Sequence, residues 1–288
     1  MNHGFDSRKL GLGTVQFGQA YGVSNSHGQV PVAEVQTILA HAANAGVGVL
    51  DTAAGYGEAE NVLGTLAAET KPFRIVTKTI SIKNGIDAVV ARARQSVQTL
   101  KRRPVDLLMV HAAGELAGSD GDRLWNALLA LRDEGLFGGI GISAYVADDP
   151  AALAARFRPA AMQVPFSVLD QRLLASDALA RLQELGVEVH ARSLFLQGLL
   201  FVASESLPQK LKHIGPRLDA LRARLGASTL EAALAFVLQR PEIDVAIVGV
   251  TRAAELDEII TAAAKPAPSV DWNACALDDE VVLTPSLW

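Results

Sequence analysis

Four side chains in the first half of the chain could share one proton-transfer reaction: Asp51, Tyr56, Lys78 and His111. Asp51 follows the apolar run Val-Gly-Val-Leu, Lys78 follows Arg-Ile-Val-Thr, and His111 follows Val-Asp-Leu-Leu-Met-Val. Tyr56 stands five residues after Asp51. A free phenol has a pKa of about 10 and donates its proton reluctantly near neutrality. An ammonium ~4 Å away, at an effective dielectric of ~20, would stabilise the phenolate by about 4 kcal/mol, an upper scale of about three pK units. Lys78 is the candidate ammonium, and Asp51 would hold it and offset its desolvation. A neutral His111 could donate one N–H to an oxygen that gains negative charge. Each residue also has a structural alternative. Asp51 could cap a turn, Tyr56 could pack on its loop, Lys78 could snorkel to solvent, and His111 could be a rim histidine bonded to backbone. Charges buried near a rim are costly unless they pair, and one cluster would account for all four.

The elements that would position these residues recur along the chain. Eight short apolar runs are visible: Leu10–Gly13, Val47–Leu50, Arg74–Thr77, Val105–Val110, Gly139–Ile142, Ala160–Gln163, Val187–Val189 and Val245–Val248. Amphipathic stretches alternate with them, at 32–45, 58–69, 86–101, 122–134, 150–157, 174–185, 229–239 and 253–264. Pro31 and Pro150 suit first-turn positions. Gly46, Gly135 and Gly186 suit helix ends just before strands. Ser228 could cap the helix opening at Thr229, with Glu231 completing a capping box. Such alternation reads as βα units with a parallel sheet, and eight repeats predict a single α/β domain over 1–288, a (β/α)8 TIM barrel. The competing doubly wound sheet would show G-x-G-x-x-G after its first strand, and Gly11-Leu-Gly13-Thr-Val-Gln fails that test. Polar residues end strand after strand, also at Ser143, Gln163 and Arg192, as a barrel mouth requires.

The loop after the second run reads Asp51-Thr-Ala-Ala-Gly-Tyr56-Gly-Glu-Ala-Glu-Asn-Val-Leu-Gly64. With Lys78 and His111 ending the next two runs, the chain resembles the aldo-keto reductase family, whose members carry D-T-A-x-x-Y-G-x-x-E before a helix. Further matches are Leu-Gly-Leu-Gly-Thr14, Gly141-Ile-Ser143, Gln163-Val-Pro-Phe, Arg192-Ser-Leu-Phe-Leu-Gln-Gly-Leu-Leu200 and Ile247-Val-Gly249. The resemblance runs from residue 8 to about 264. It implies hydride transfer between a nicotinamide dinucleotide and an aldehyde, ketone or sugar, with Asp51, Tyr56, Lys78 and His111 catalytic. The segments starting at Ser143 and Arg192 look like those of bacterial members encoded near sugar or polysaccharide genes, which inclines the substrate toward a carbohydrate.

The same resemblance implies the cofactor contacts. Ser143 and Gln163 would hold the nicotinamide carboxamide, and Gly13, Thr14, Ser193, Leu194 and Gln197 would line its groove. The family often has Ser-Asn where this chain has Ser143-Ala144. Arg192 stands where many members place an aromatic residue; it could lie flat against the ring or reach a phosphate, or form a rim salt bridge with Glu188. At the adenosine end Glu258 matches the family, but Gly249 replaces a common Lys, Glu255 a common Arg and Ile259 an Asn. Thr251 and Arg252 complete this loop, and Arg252 is its one obvious partner for a 2′-phosphate. NADP(H) is the family expectation; this loop implies that NAD(H) is tolerated or preferred. A helix from 253 could still offer its N-terminus to phosphate. In the family the C-terminal segment, here 265–288, folds over the barrel mouth. Trp272 and Trp288 are then candidate pocket walls, or they pack on outer helices. Phe17 and Tyr21 are further candidate walls for a flat substrate.

Composition narrows the remaining choices. The 288 residues carry 26 Lys and Arg against 31 Asp and Glu, a net charge of −5, and half are hydrophobic. This supplies ample apolar surface for a core and argues against disorder and against a nucleic-acid partner. The basic triplet Lys101-Arg102-Arg103 reads as a helix C-terminus facing its dipole. The single Cys275 excludes an intramolecular disulfide and a multi-cysteine zinc site, consistent with a cytoplasmic protein. The start has no apolar signal core, and the longest uncharged run, Val35–Leu50, is too short and polar to span a bilayer. Six histidines show no metal-ligand spacing, so no metal is expected. Two other functions compete with the reductase: a slow nucleotide-binding sensor on the same barrel, and a Schiff-base enzyme with Lys78 as nucleophile. An adjacent Asp51 would keep that lysine protonated.

Overall fold

The computed structural model describes residues 6–288 apart from 24, 26, 227 and 228. The cap expected at Ser228 lies outside the described residues. Among the described residues eight strands form: β1 (Leu10–Gly13), β2 (Val49–Asp51), β3 (Arg74–Lys78), β4 (Val105–Val110), β5 (Phe137–Ser143), β6 (Ala161–Pro165), β7 (Glu188–Arg192) and β8 (Val245–Gly249). Each pairs in parallel with the next, and β1 pairs with β8 to close the barrel.

Side chains alternate between the two faces of this sheet, as the pleat demands. Val49, Val76, Leu107, Met109, Ala161, Val245 and Ile247 form one buried cluster. Their neighbours Leu50, Ile75, Leu108, Val110, Ala246 and Val248 belong to the larger core. Strands buried on both faces read as continuous apolar runs, which is why they are legible in the sequence. Gly11 keeps the barrel narrow: a Cβ there would sit 2.8 Å from Val245 Cγ1.

Helices Val32–Ala45, Ile86–Thr99, Gly121–Asp133, Pro150–Phe157, Thr229–Leu238 and Ala253–Ala263 lie where the periodicity puts them. Gly46, Gly135 and Gly186 follow helices with positive φ, the expected stops. The stretch 174–185 is two pieces, Arg172–Ala175 and Ala178–Glu184, because Asp177 takes a left-handed φ of 56° and interrupts the turn. A further helix, Gly215–Leu225, has no clear apolar periodicity; Leu218, Leu221 and Leu225 are its buried stripe, set among charged residues. The two arginines of the basic triplet do not face their own helix end. Arg102 bonds the Phe73 carbonyl and Asp106, whereas Arg103 bonds the carbonyls of Glu134 and Gly135 that end the next helix. No helix among the described residues is long and apolar enough to cross a membrane.

Candidate active site

All eight strands run the same way, so their last residues meet at one end of the barrel. Asp51 ends β2, Lys78 ends β3, and His111 follows β4 directly. Lys78 is 1% exposed and Asp51 is 4% exposed. The Lys78 ammonium donates to Asp51 Oδ2 at 2.7 Å, to the Thr52 carbonyl at 3.0 Å and to the Tyr56 hydroxyl oxygen at 3.4 Å. Burial opposes its charge, but Asp51 and then Tyr56 outweigh burial and hold the Lys78 pKa above its ordinary value. Lys78 therefore stays a cation, unsuited to Schiff-base attack. The second carboxylate oxygen of Asp51 accepts from Gln163 Nε2 at 2.7 Å. Both oxygens of this buried anion are thus engaged, as a buried charge requires.

The phenol of Tyr56 meets His111 edge to face, with ring centroids 5.8 Å apart. Burial, and then the Lys78 charge, push the His111 pKa down to about 4. The ring is neutral near pH 7 and can donate one N–H. A stability consequence follows from the sign of this shift. Unfolded, His111 takes up a proton near pH ~6.5; folded, it does so only near 4. Between those values the unfolded chain binds more protons, so stability falls as pH drops through the window. Urea denaturation at about pH 7 and about pH 4.5 is expected to show a smaller pH-dependent loss for His111→Gln than for the parent. Equal losses would show that His111 is not held neutral.

The loop bearing Tyr56 is clamped from two sides. Its Glu58 N–H donates to the Gly18 carbonyl at 3.1 Å. A Cβ on Gly18 would lie 1.8 Å from the Tyr56 carbonyl oxygen, so only glycine permits this approach. On the other side Glu60, 3% exposed, accepts from Thr77 Oγ1 at 2.6 Å, Arg92 Nη2 at 2.6 Å and Ser96 Oγ at 3.1 Å. Arg92 also donates to the Ala54 carbonyl at 3.3 Å, two residues before Tyr56. Glu60 is the final Glu of the D-T-A-x-x-Y-G-x-x-E segment, and its partners, distant in sequence, give it a structural role that local spacing does not signal. Glu60→Ala is expected to cost about 3 kcal/mol, the lower end for breaking a buried pair because Arg92 still reaches water. Urea unfolding checks this; a loss under ~0.5 kcal/mol would assign the network no structural weight.

A cavity of about 860 Å³ opens beside the cluster. Of the residues expected there, Gly13, Thr14, Tyr21, Asp51, Tyr56, His111, Ser143, Gln163, Arg192, Ser193, Leu194, Gln197, Gly249, Thr251, Glu255 and Glu258 all line it. Lys78 stands behind Asp51 and Tyr56. The Thr14 hydroxyl donates to the Asp51 carbonyl at 3.1 Å and so joins β1 to the cluster. Residues without a sequence signal also line it, among them Gln16, Tyr145 and Phe201.

Four expected residues lie elsewhere. Phe17 is fully buried, because the helical turn Val15–Gly18 directs its ring into the core. Trp288 donates its indole N–H to the Val281 carbonyl at 2.8 Å and packs against the core, as does Trp272 beside Phe236. The tail thus supplies neither tryptophan to the cavity. Arg252 is not among the lining residues, and its guanidinium pairs with Glu255 at 3.2 Å. Nor does Arg192 reach Glu188: that carboxylate binds Arg74 at 2.7 and 2.9 Å and His190 at 3.0 Å. Arg192 instead lies 4.3 Å from the centre of the Tyr145 ring.

The far end of the cavity is the N-terminus of helix Ala253–Ala263. Glu255 accepts there from the Thr251 N–H at 2.7 Å and the Thr251 hydroxyl at 3.0 Å. Glu34 accepts from the Ala253 N–H at 2.7 Å. Two of the protein's own carboxylates therefore take donors that a phosphate would use. Between the two ends the cavity suits an extended polar ligand. Gln16 Oε1 is buried without a partner, and a Cβ on Gly249 would come within 2.9 Å of Gln16 Nε2. Gly249 thus makes room for the Gln16 side chain, whose orphaned acceptor on the cavity wall fits a polar ligand such as a dinucleotide.

A closed parallel barrel with an Asp–Lys–Tyr–His cluster at the carboxyl ends of its strands defines an eight-fold α/β barrel of the enzyme type. The model of the Aldo/keto reductase family matches residues 9–277, and the chain belongs to that family. An aldo-keto reductase of Mycolicibacterium smegmatis is 28% identical over 142 residues, 48% of this chain and 50% of that protein. The match thus spans half the length of this curated relative. Among solved structures, an aldo-keto reductase from Bacillus halodurans in its holo form aligns with a TM-score of 0.72 at 21% identity, covering 91% of this chain and 88% of that one. A putative aldo-keto reductase from Pseudomonas aeruginosa aligns with a TM-score of 0.66 at 22% identity, covering 90% and 92%. At such identities these structures show the shared fold.

Proposed function

We propose that this protein transfers hydride between a nicotinamide dinucleotide and a small carbonyl or alcohol substrate, an aldehyde, ketone or sugar, with Tyr56 as general acid. One observation carries the reading: a fully buried ammonium lies 2.7 Å from a carboxylate and 3.4 Å from a phenol oxygen that lines an open cavity. When bound, the dinucleotide supplies the hydride. Everything else is work for this chain's side chains. Neutral His111 donates an N–H to the substrate oxygen and fixes its direction. Tyr56 gives that oxygen its proton, and the Lys78 ammonium stabilises the phenolate left behind. Asp51 keeps Lys78 charged and in place. Ser143 and Gln163 would hold the carboxamide; because Gln163 gives an N–H to Asp51, its carbonyl oxygen remains for the ligand.

Single-turnover oxidation of bound NADH or NADPH by 4-nitrobenzaldehyde tests this reading. Transfer within seconds to minutes supports it. Bound nucleotide that stays reduced for hours would instead make the protein a nucleotide sensor.

The adenosine end supports NAD(H) over NADP(H). A 2′-phosphate brought to Thr251 would meet the Glu255 carboxylate on the same donors. NADH is expected to bind at least as tightly as NADPH. Glu255→Gln removes the opposing charge and is expected to raise NADPH affinity about tenfold, the equivalent of ~1.4 kcal/mol. Fluorescence titration measures both constants, and a hundredfold advantage for NADPH in the parent protein would overturn the assignment.

A further inference from the structure

Arg192 is the one Lys or Arg among the described residues that line the cavity, and it makes no ion pair with any of them. Lys78, the other cation at this end, already gives its three protons to Asp51, Thr52 and Tyr56. A guanidinium carries five N–H donors. The acceptors that meet Arg192 are the Ser193 hydroxyl at 3.4 Å and the Ala144 carbonyl at 3.3 Å, both neutral and both long. Its stacking 4.3 Å from the Tyr145 ring fixes its place without neutralising it. A partly buried cation with unfilled donors gains most from an oxyanion, which it can bind with two parallel hydrogen bonds.

The rest of the chamber sorts anions toward this point. Asp51 is paired with Lys78 and Glu255 with Arg252, so neither carboxylate offers Arg192 a partner, and Glu258 adds negative charge at the opposite end. Around the reacting end stand flat apolar faces. Tyr21 is 38% exposed and Phe201 is 45% exposed, high values for aromatic side chains. Phe195 braces Phe201 edge-on at 5.3 Å. Arg192 lines the same cavity as His111, Tyr56 and Tyr21, so it shares the chamber that holds the proton donor.

We propose that the carbonyl substrate carries a carboxylate or phosphate, bound by Arg192, with its carbon skeleton against Tyr21 and Phe201. This inference rests on the carbonyl-reductase reading of the same cavity. Its selectivity is for acidic aldehydes, ketones or sugar derivatives over neutral ones of the same shape.

The test compares 4-carboxybenzaldehyde with 4-nitrobenzaldehyde, whose para groups share a shape but differ in charge. Arg192→Gln is expected to lower kcat/KM for the carboxylate about tenfold more than for the nitro compound, chiefly through KM. Arg192→Lys should restore part of that ratio, since it returns the charge without the fork. Added salt should shrink the ratio in the parent protein. An equal fall for both aldehydes would overturn the proposal and assign Arg192 to the dinucleotide or the fold. Benzoate binding by calorimetry tests the anion site without turnover. About tenfold weaker binding in Arg192→Gln supports the site even if neither aldehyde is reduced, in which case the reductase reading alone fails. Unchanged benzoate affinity would overturn the anion site.

Discussion

Replacing Tyr56 with phenylalanine is expected to slow hydride transfer by about 10²–10⁴-fold, the usual contribution of one placed acid. The substitution removes a single oxygen. The ring keeps its edge contact with His111, at 5.8 Å, and its position 4.9 Å from the Lys78 ammonium. Fold and nucleotide affinity should therefore persist. Rapid mixing of enzyme-bound reduced nucleotide with aldehyde gives the rate, and fluorescence titration gives the affinity. A variant that retained half its activity would remove Tyr56 from the proton-transfer step.

The second large effect concerns Lys78. Lys78→Met leaves Asp51 buried with only the Gln163 amide as side-chain partner. Removing one member of a buried pair typically costs about 3–5 kcal/mol, because the remaining charge is left uncompensated. For a chain of this size that lowers the melting temperature by roughly 2–4 °C per kcal/mol. Turnover should fall as well, since the phenolate loses its cation. The double variant Asp51→Asn with Lys78→Met separates the two effects. Stability should largely return, because no charge remains buried, while activity should not. Calorimetric unfolding and the single-turnover rate report these outcomes independently. If the single variant melted with the parent, Asp51 and Lys78 would not form a buried pair in solution.

These two predictions draw on the part of the molecule that is most legible from the chain. The strands of a parallel barrel are buried on both faces and so appear as plain apolar runs. Their common direction sends every run's last residue to one rim, which is why Asp51, Lys78 and His111 group together from the order of the runs. Helix stops were readable for a similar local reason: Gly46, Gly135 and Gly186 are needed where φ is positive. Helix Gly215–Leu225 was not readable, since its three buried leucines are diluted by charge.

Side-chain direction and partner choice depend on neighbours distant in sequence. Phe17 and Tyr21 sit four residues apart on one loop, yet one ring enters the core and the other faces the cavity. Arg252 looks like a phosphate ligand until Glu255, three residues on, captures it. Glu60 gains meaning only when Thr77, Arg92 and Ser96 arrive from a strand and a helix further along the chain.

The barrel, its strand ends and the four chemically capable residues are legible in the chain, because periodicity and strand termini are local properties. Which charges are paired and which are free follows from packing between distant segments. Asp51 takes Lys78 and Gln163, Glu188 takes Arg74 and His190, and Arg192 is left in the cavity with neutral acceptors. Pairing requires atoms within about 4 Å, and closing the barrel is what brings groups as far apart in sequence as 51 and 163 to that distance.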